Sequence, residues 1–279
     1  MRTSIKTHIA FSMLLFALTL TPFAHGGAVI NPGFAGTNTL AANDDGSTGL
    51  VSLGFAANFF GRSYTDGYVN NNGNLTFTGG LNQFTPQGIK TVDKPMIAPF
   101  FADVDTRGEG SGLVTYGSGT LFGQNAFAVE WPHVGYYRTN TDKLNSFELI
   151  LVSRPDTGVG NFDIYFNYDQ VQWETGDASG GRGGLGGTSA GVGYTDGSGP
   201  ACTATRRCFE LLGSLENGAL IDGGSYALVS HDLNSSTPGR YIFPVRNGVV
   251  TATPEPGTLI LLGSGILGLG SVVRRKLNL

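Results

Sequence analysis

Several groupings of residues in this 279-residue sequence have types and spacings that chemistry could use. Gly187-Thr188-Ser189-Ala190-Gly191 has the GxSxG form of a nucleophile elbow. There a serine on a strained strand-to-helix turn attacks an acyl carbon, helped by a later histidine. His231 lies downstream, but Val192-Gly193-Tyr194 reads as a strand where the elbow needs a helix. Gly181-Arg182-Gly183-Gly184-Leu185-Gly186 fits GxGxxG, yet no amphipathic helix follows to complete a phosphate-binding βαβ unit. Asp103-Val104-Asp105, with Gly108 after it, matches the start of an oxygen-ligand calcium loop. Arg107 stands where a third ligand belongs, and Glu109 comes too early to close such a loop. Asn43-Asp44-Asp45-Gly46 is a second acidic turn that can contribute from a distance. The other reading of these aspartates is Asx-turn bonding to the backbone. Cys202 and Cys208 are the only cysteines, and no Cys/His cluster or HExxH points to zinc. They are read either as a disulfide closing a small loop or as two free thiols.

The two ends frame these groups. Met1–Gly26 has a secretory layout: Arg2 and Lys6, then an apolar run from Ile9 to Leu20, then Ala24-His25-Gly26. It is expected to be removed by signal peptidase; the alternative is an uncleaved anchor, for which the apolar run is short. At the other end Pro254-Glu255-Pro256 precedes Gly257–Val273, an uncharged stretch rich in Leu, Ile, Val and Gly, and Arg274-Arg275-Lys276 follows at once. A span of that length sits at the lower edge of what crosses a bilayer, and a basic cluster after it stays on the cytoplasmic side. The expected topology is body outside, basic cluster inside. A buried core helix is the alternative reading of the stretch.

Charge follows from this division. Of 17 basic and 21 acidic residues, Arg2, Lys6, Arg274, Arg275, Lys276 and Glu255 lie at the ends. The body between keeps 12 basic and 20 acidic residues, a net of −8. That excludes a basic footprint for nucleic acid and simple electrostatic docking to anionic lipid. Cys202 and Cys208, once exported, enter an oxidising compartment that favours their pairing.

The elements that must position these residues read as strands. Glycine is abundant, at 44 residues, and turn residues alternate with short apolar runs. Tyr68-Val69-Asn70 and Leu75-Thr76-Phe77 flank Asn72-Gly73, a hairpin signal. Phe127, Val129 and Trp131 share one face, with Glu130 on the other. Phe147, Leu149 and Leu151 repeat the pattern, as do Phe162, Ile164, Phe166 and Tyr168. Each apolar face needs a partner, so the expected fold is all-β: a single antiparallel β-sandwich-like domain. The expected division is a signal peptide over 1–26, a polar leading segment over 27–49, a β domain over 50–230, a linker over 231–253 and a tail over 254–279 with its span at 257–273.

Six motifs, in order, resemble the nidogen-type extracellular (NIDO) domain. They are Gly54-Phe55 to Gly61 with Tyr68–Phe77; Pro95–Asp105; Val129-Glu130-Trp131 with Val134–Tyr137; Asn145–Leu151; Phe166-Asn167-Tyr168 to Trp173 and Gly176; and Ala190–Tyr194. The resemblance covers about 50–230. It implies an extracellular module of matrix and adhesion proteins with no known catalytic role, and makes the GxSxG match an ordinary family strand. Animal members carry neighbouring EGF-like or other domains, not seen in this sequence, so adhesion is carried over from that context. The C-terminus resembles the PEP-CTERM sorting signal, which implies processing by an exosortase in a Gram-negative bacterium that makes exopolysaccharide.

The expectation is therefore a non-enzymatic, exported protein. It is held in the inner membrane by its tail and then passed to the cell surface or extracellular matrix, with exopolysaccharide or matrix proteins as partners. Two alternatives stay open. One is a carbohydrate-binding module stacking Tyr136, Tyr137 or Trp173 on sugar rings; the other is a hydrolase using Ser189.

Overall fold

A computed structural model describes residues 27–202 and 207–251. The leader 1–26, Pro254-Glu255-Pro256, the stretch 257–273 and Arg274-Arg275-Lys276 lie outside the described residues. Among the described residues no helix is long and apolar enough to cross a membrane.

The fold is all-β, with fourteen strands among the described residues, in chain order: β1 (Asn38–Thr39), β2 (Val51–Phe59), β3 (Arg62–Asn70), β4 (Asn74–Thr76), β5 (Pro95–Phe101), β6 (Val104–Asp105), β7 (Thr115–Leu121), β8 (Gln124–Tyr136), β9 (Asn140–Ser153), β10 (Phe162–Gln170), β11 (Gly191–Asp196), β12 (Cys208–Glu210), β13 (Arg240–Arg246) and β14 (Val249–Val250). One sheet runs β1-β7-β8-β9-β10-β13-β14, with β6 also on β8. The other runs β12-β11-β5-β4-β3-β2. The described pairings within them are antiparallel.

Period-2 alternation sets the register. Phe127 faces Leu151, Val129 faces Leu149 and Trp131 faces Phe147 across β8–β9. Leu149 and Leu151 then meet Phe166 and Ile164 on β10. All these side chains enter one core with Leu53, Phe59, Val69, Leu75, Ile97, Phe100, Val192 and Tyr194 from the facing sheet. The paired apolar faces expected from sequence thus close on each other. A slip of one residue would turn each stripe to the wrong side. The Trp131 and Phe147 rings stack at 4.9 Å between centroids, and Trp131 Nε1 donates to Asn71 O at 3.0 Å, so the buried indole keeps its polar bond.

Two segment expectations need correction. The stretch 231–253 is not a plain linker. Within it β13 pairs with β10 over Phe162–Asn167, burying Tyr241, Phe243 and Val245 in the main core. Pro244 O accepts from Thr251 N, away from β10. The missing proline N–H therefore faces that side too and removes no β10 rung. The leading segment 27–49 is also part of the fold. Ala35, with Ile30 and Phe34, covers Ala126, Ala128, Ile150 and Val152 on the outer face of β8–β9. Buried Glu148 accepts from the backbone N–H groups of Ile30 and Asn31, each at 3.1 Å, and from Asn167 Nδ2 at 2.7 Å.

Candidate functional site

The residues with the most chemistry to offer meet at the tip of the β3–β4 hairpin. Three residues, Asn71-Asn72-Gly73, turn the chain between Asn70 and Asn74. Although polar, Asn70, Asn71, Asn72 and Asn74 are buried. Gly73 has φ +72, and a Cβ there would stand 1.7 Å from Phe100 O, so only glycine lets the tip enter between the sheets. Asn71 Nδ2 donates to Asp44 O and Val104 O, each at 2.6 Å. Asn72 Nδ2 donates to Asp45 Oδ1 at 2.8 Å, and Asn72 Oδ1 accepts from Val104 N at 2.9 Å. The asparagine run therefore ties the 43–46 turn to the loop after β5.

This brings Asp44, Asp45 and Asp103 together, with one carboxylate oxygen from each lying within 4.8 Å of the others. Asp103 is 1 % exposed, and its Oδ2 has no hydrogen-bond partner. Asp44 Oδ1 is likewise buried and unpartnered. The Gly176 backbone presses against Asp103 so closely that a Cβ would lie 2.3 Å from Oδ2. Burial, with Asp44, Asp45 and Asp105 nearby, pushes the Asp103 carboxyl up to about 8. Burial, then Asp105 and Asp45, pushes Asp44 up to about 6.

The expected pairing of Asp103 with Asp105 as joint cation ligands is corrected here. Arg107, two residues on, captures Asp105: its Nε donates at 2.8 Å, its Nη2 at 2.7 Å and its backbone N–H at 3.0 Å. Thr139 N adds a bond at 2.9 Å. Burial works against ionising Asp105, but these donors outweigh it and hold its carboxyl below the ordinary range. Arg107 Nη2 also reaches Asp44 Oδ2 at 3.0 Å. Asp105 is thus a counter-ion for Arg107, and Asp103 joins the distant 43–46 turn instead.

The other groups take structural places. Ser189 is fully buried, and its Oγ donates to Glu174 Oε1 at 2.9 Å. Glu174 also accepts from the backbone N–H groups of Gly218 and Leu220. His231 turns its Nδ1 to Ala227 O at 2.9 Å. Trp173 and Tyr136 are buried in the core, with Trp173 Nε1 donating to Val134 O. Of the aromatic residues proposed for stacking on sugars, only Tyr137 is partly exposed, and the Arg138 guanidinium lies over its ring. Cys202 and Cys208 are joined, Cα to Cα 6.2 Å, where β12 begins. Gly181–Gly187 forms an irregular loop in which Gly184 O accepts from Glu174 N and Thr175 N. Sequence reasoning missed Glu148 and Glu174. Glu148 is a lone carboxylate in the apolar run Phe147–Val152, which marks it; Glu174 stands beside polar Gln172, Thr175 and Asp177, and no local pattern marks it.

Two facing antiparallel sheets sharing an aromatic core, with a disulfide beside an edge strand, define a β-sandwich domain. The NIDO related family matches residues 23–208, and the chain belongs to it. The PEP-CTERM protein-sorting motif matches residues 252–276 and implies processing by an exosortase. The chain is 32 % identical over 276 residues to chicken (Gallus gallus) alpha-tectorin, covering 89 % of this chain and 12 % of that protein. It is 33 % identical over 225 residues to mouse (Mus musculus) alpha-tectorin, covering 72 % and 10 %. Nidogen of Drosophila melanogaster is 26 % identical over 250 residues, covering 80 % and 17 %. The chain thus spans less than a fifth of the length of these relatives. No solved structure gives a significant match.

Proposed function

We propose that this chain is a non-enzymatic surface or matrix protein. In this reading the leader directs export, signal peptidase removes it, and the tail holds the precursor in the inner membrane with Arg274, Arg275 and Lys276 inside. An exosortase then acts at Pro254-Glu255-Pro256 and passes the NIDO domain to the cell surface or exopolysaccharide matrix, where it makes adhesive contacts. One observation carries the reading: a NIDO related domain over 23–208 and a PEP-CTERM motif over 252–276 stand in one chain. The first is a domain of extracellular relatives, and the second is a sorting address. Glu255 is flanked by prolines, residues that disfavour helix, and proteases take extended substrates.

Cell fractionation tests this. Wild-type protein is expected in the extracted exopolysaccharide fraction, and a chain with Pro254, Glu255 and Pro256 all changed to Ala is expected in the inner membrane. Wild-type protein confined to the cytoplasm or inner membrane would overturn the reading.

A further inference from the structure

We propose that Asp44, Asp45 and Asp103 form a calcium site that staples the leading segment to the body of the sandwich. The carboxylates come from two chain segments far apart in sequence, brought together by the buried Asn71 and Asn72 amides. Calcium binds oxygen ligands at about 2.4 Å, so two oxygens on opposite sides of one ion lie about 4.8 Å apart. The three carboxylate oxygens fall within that separation as they stand. A point central to three oxygens so spaced lies at most about 2.8 Å from each, so small side-chain rotations bring all three within reach of one ion.

Hydrogen bonding in the cluster is incomplete. Asp103 is 1 % exposed, and its Oδ2 has no donor; Asp44 Oδ1 is in the same condition. Buried carboxylate oxygens are normally satisfied, and an orphan in a folded domain asks for an absent ion or water. The local charge favours an ion. Four aspartates gather here, with Asp105 included, and Arg107 is the cation bonded to two of them. A ligand set made only of oxygen, without His or Cys, selects a hard cation. An irregular set drawn from two loops suits calcium, whose coordination is flexible, better than magnesium, which demands a near-ideal octahedron and gives up water reluctantly. Asp45 is only partly buried, which leaves room for water to complete the shell.

Binding would fasten the 43–48 stretch to the hairpin tip. That stretch already borders β3 through Thr48 N to Val69 O and Asn71 N to Gly46 O. Its neighbour, the 30–35 stretch, covers the outer face of β8–β9. The site is thus placed to hold the leading segment on the domain.

The test is calorimetric titration of the metal-stripped full chain in detergent with calcium chloride, and separately with magnesium chloride. The same samples are melted with calcium or with chelator. Calcium is expected to bind once per chain and to raise Tm by about 5 °C or more at saturation. Magnesium is expected to bind at least about tenfold more weakly. Asp103→Asn and Asp45→Asn should lose the calcium heat and the Tm shift, while Asp93→Asn, exposed and outside the cluster, should keep both. Should Asp103→Asn fail to fold, the partly buried Asp45→Asn still decides the matter. Absence of calcium heat in a folded wild type would overturn the proposal. So would binding that survives Asp45→Asn, or equal affinity for magnesium.

Discussion

Gly73 shows how one residue can place a whole site. Its positive φ and the 1.7 Å that would separate a Cβ from Phe100 O leave no room for a side chain, and the obstacle is backbone that cannot swing aside. Gly73→Ala is expected to destabilise the domain by on the order of 2–4 kcal/mol, read as a lower urea midpoint. A change under about 0.5 kcal/mol would mean the tip tolerates displacement. Glu148 makes a different prediction. Burial is the largest influence on it and pushes its carboxyl up to about 7 from an ordinary 4.5, against the donors from Ile30, Asn167 and Asn31. Between those values the folded chain holds a proton that the unfolded chain has released. This group's contribution is therefore full below about pH 4.5 and is lost as pH rises through about 7. Glu148→Gln removes the titration. With chelator present throughout, the Tm of wild type minus that of the variant should fall as pH rises from 4.5 to 7. Parallel curves would show that Glu148 does not titrate in that window.

At the scale of elements, β13 is the strand whose loss should matter most for its length. It buries Tyr241, Phe243 and Val245 against β10, and Phe243 lies 5.1 Å from Phe166 between ring centroids. Phe243→Ala is expected to cost about 3–5 kcal/mol, measured by denaturant unfolding. A chain stopped after Ser230 should fail to give a cooperative unfolding transition, whereas one stopped after Thr251 should give one. Cooperative unfolding of the shorter chain would restore the linker reading. The bond between Cys202 and Cys208 closes a short loop, so reducing it should lower stability by about 2 kcal/mol while leaving the fold intact.

The contrast between β9 and β13 shows what could be read from the sequence. Phe147, Leu149 and Leu151 alternate without interruption, and their strand, its face and the need for a facing sheet all follow. Tyr241, Phe243 and Val245 alternate equally well, but Pro238 and Pro244 make the stretch look like a linker. Only the pairing shows that the proline points its missing donor away from β10. The candidate site divides in the same way. The Asp103-Val104-Asp105 spacing marks the right loop, and the 43–46 turn stands out as acidic. Which aspartates join is decided by Arg107 taking Asp105 and by buried asparagine amides holding the turn. Those are tertiary facts that no local pattern carries.

On the scale of the whole molecule, the body is an acidic sandwich, with 12 basic and 20 acidic residues over 27–253. The sandwich belongs to an extracellular family, and the motif after it is an address for an exosortase. Pro254 stands three residues beyond Thr251, the last described residue of the domain. Cutting there would release the folded sandwich intact, with β13 and β14 kept on the domain side. The same cut would leave the apolar stretch 257–273 and Arg274-Arg275-Lys276 behind. The most direct test of this account is the mature C-terminus, read by mass spectrometry from cells with and without the exosortase. Cells with the enzyme should yield a chain ending at or near Pro254-Glu255-Pro256 and lacking Arg274–Leu279, and cells without it should yield the uncut tail. An intact Leu279 end in both would contradict the account.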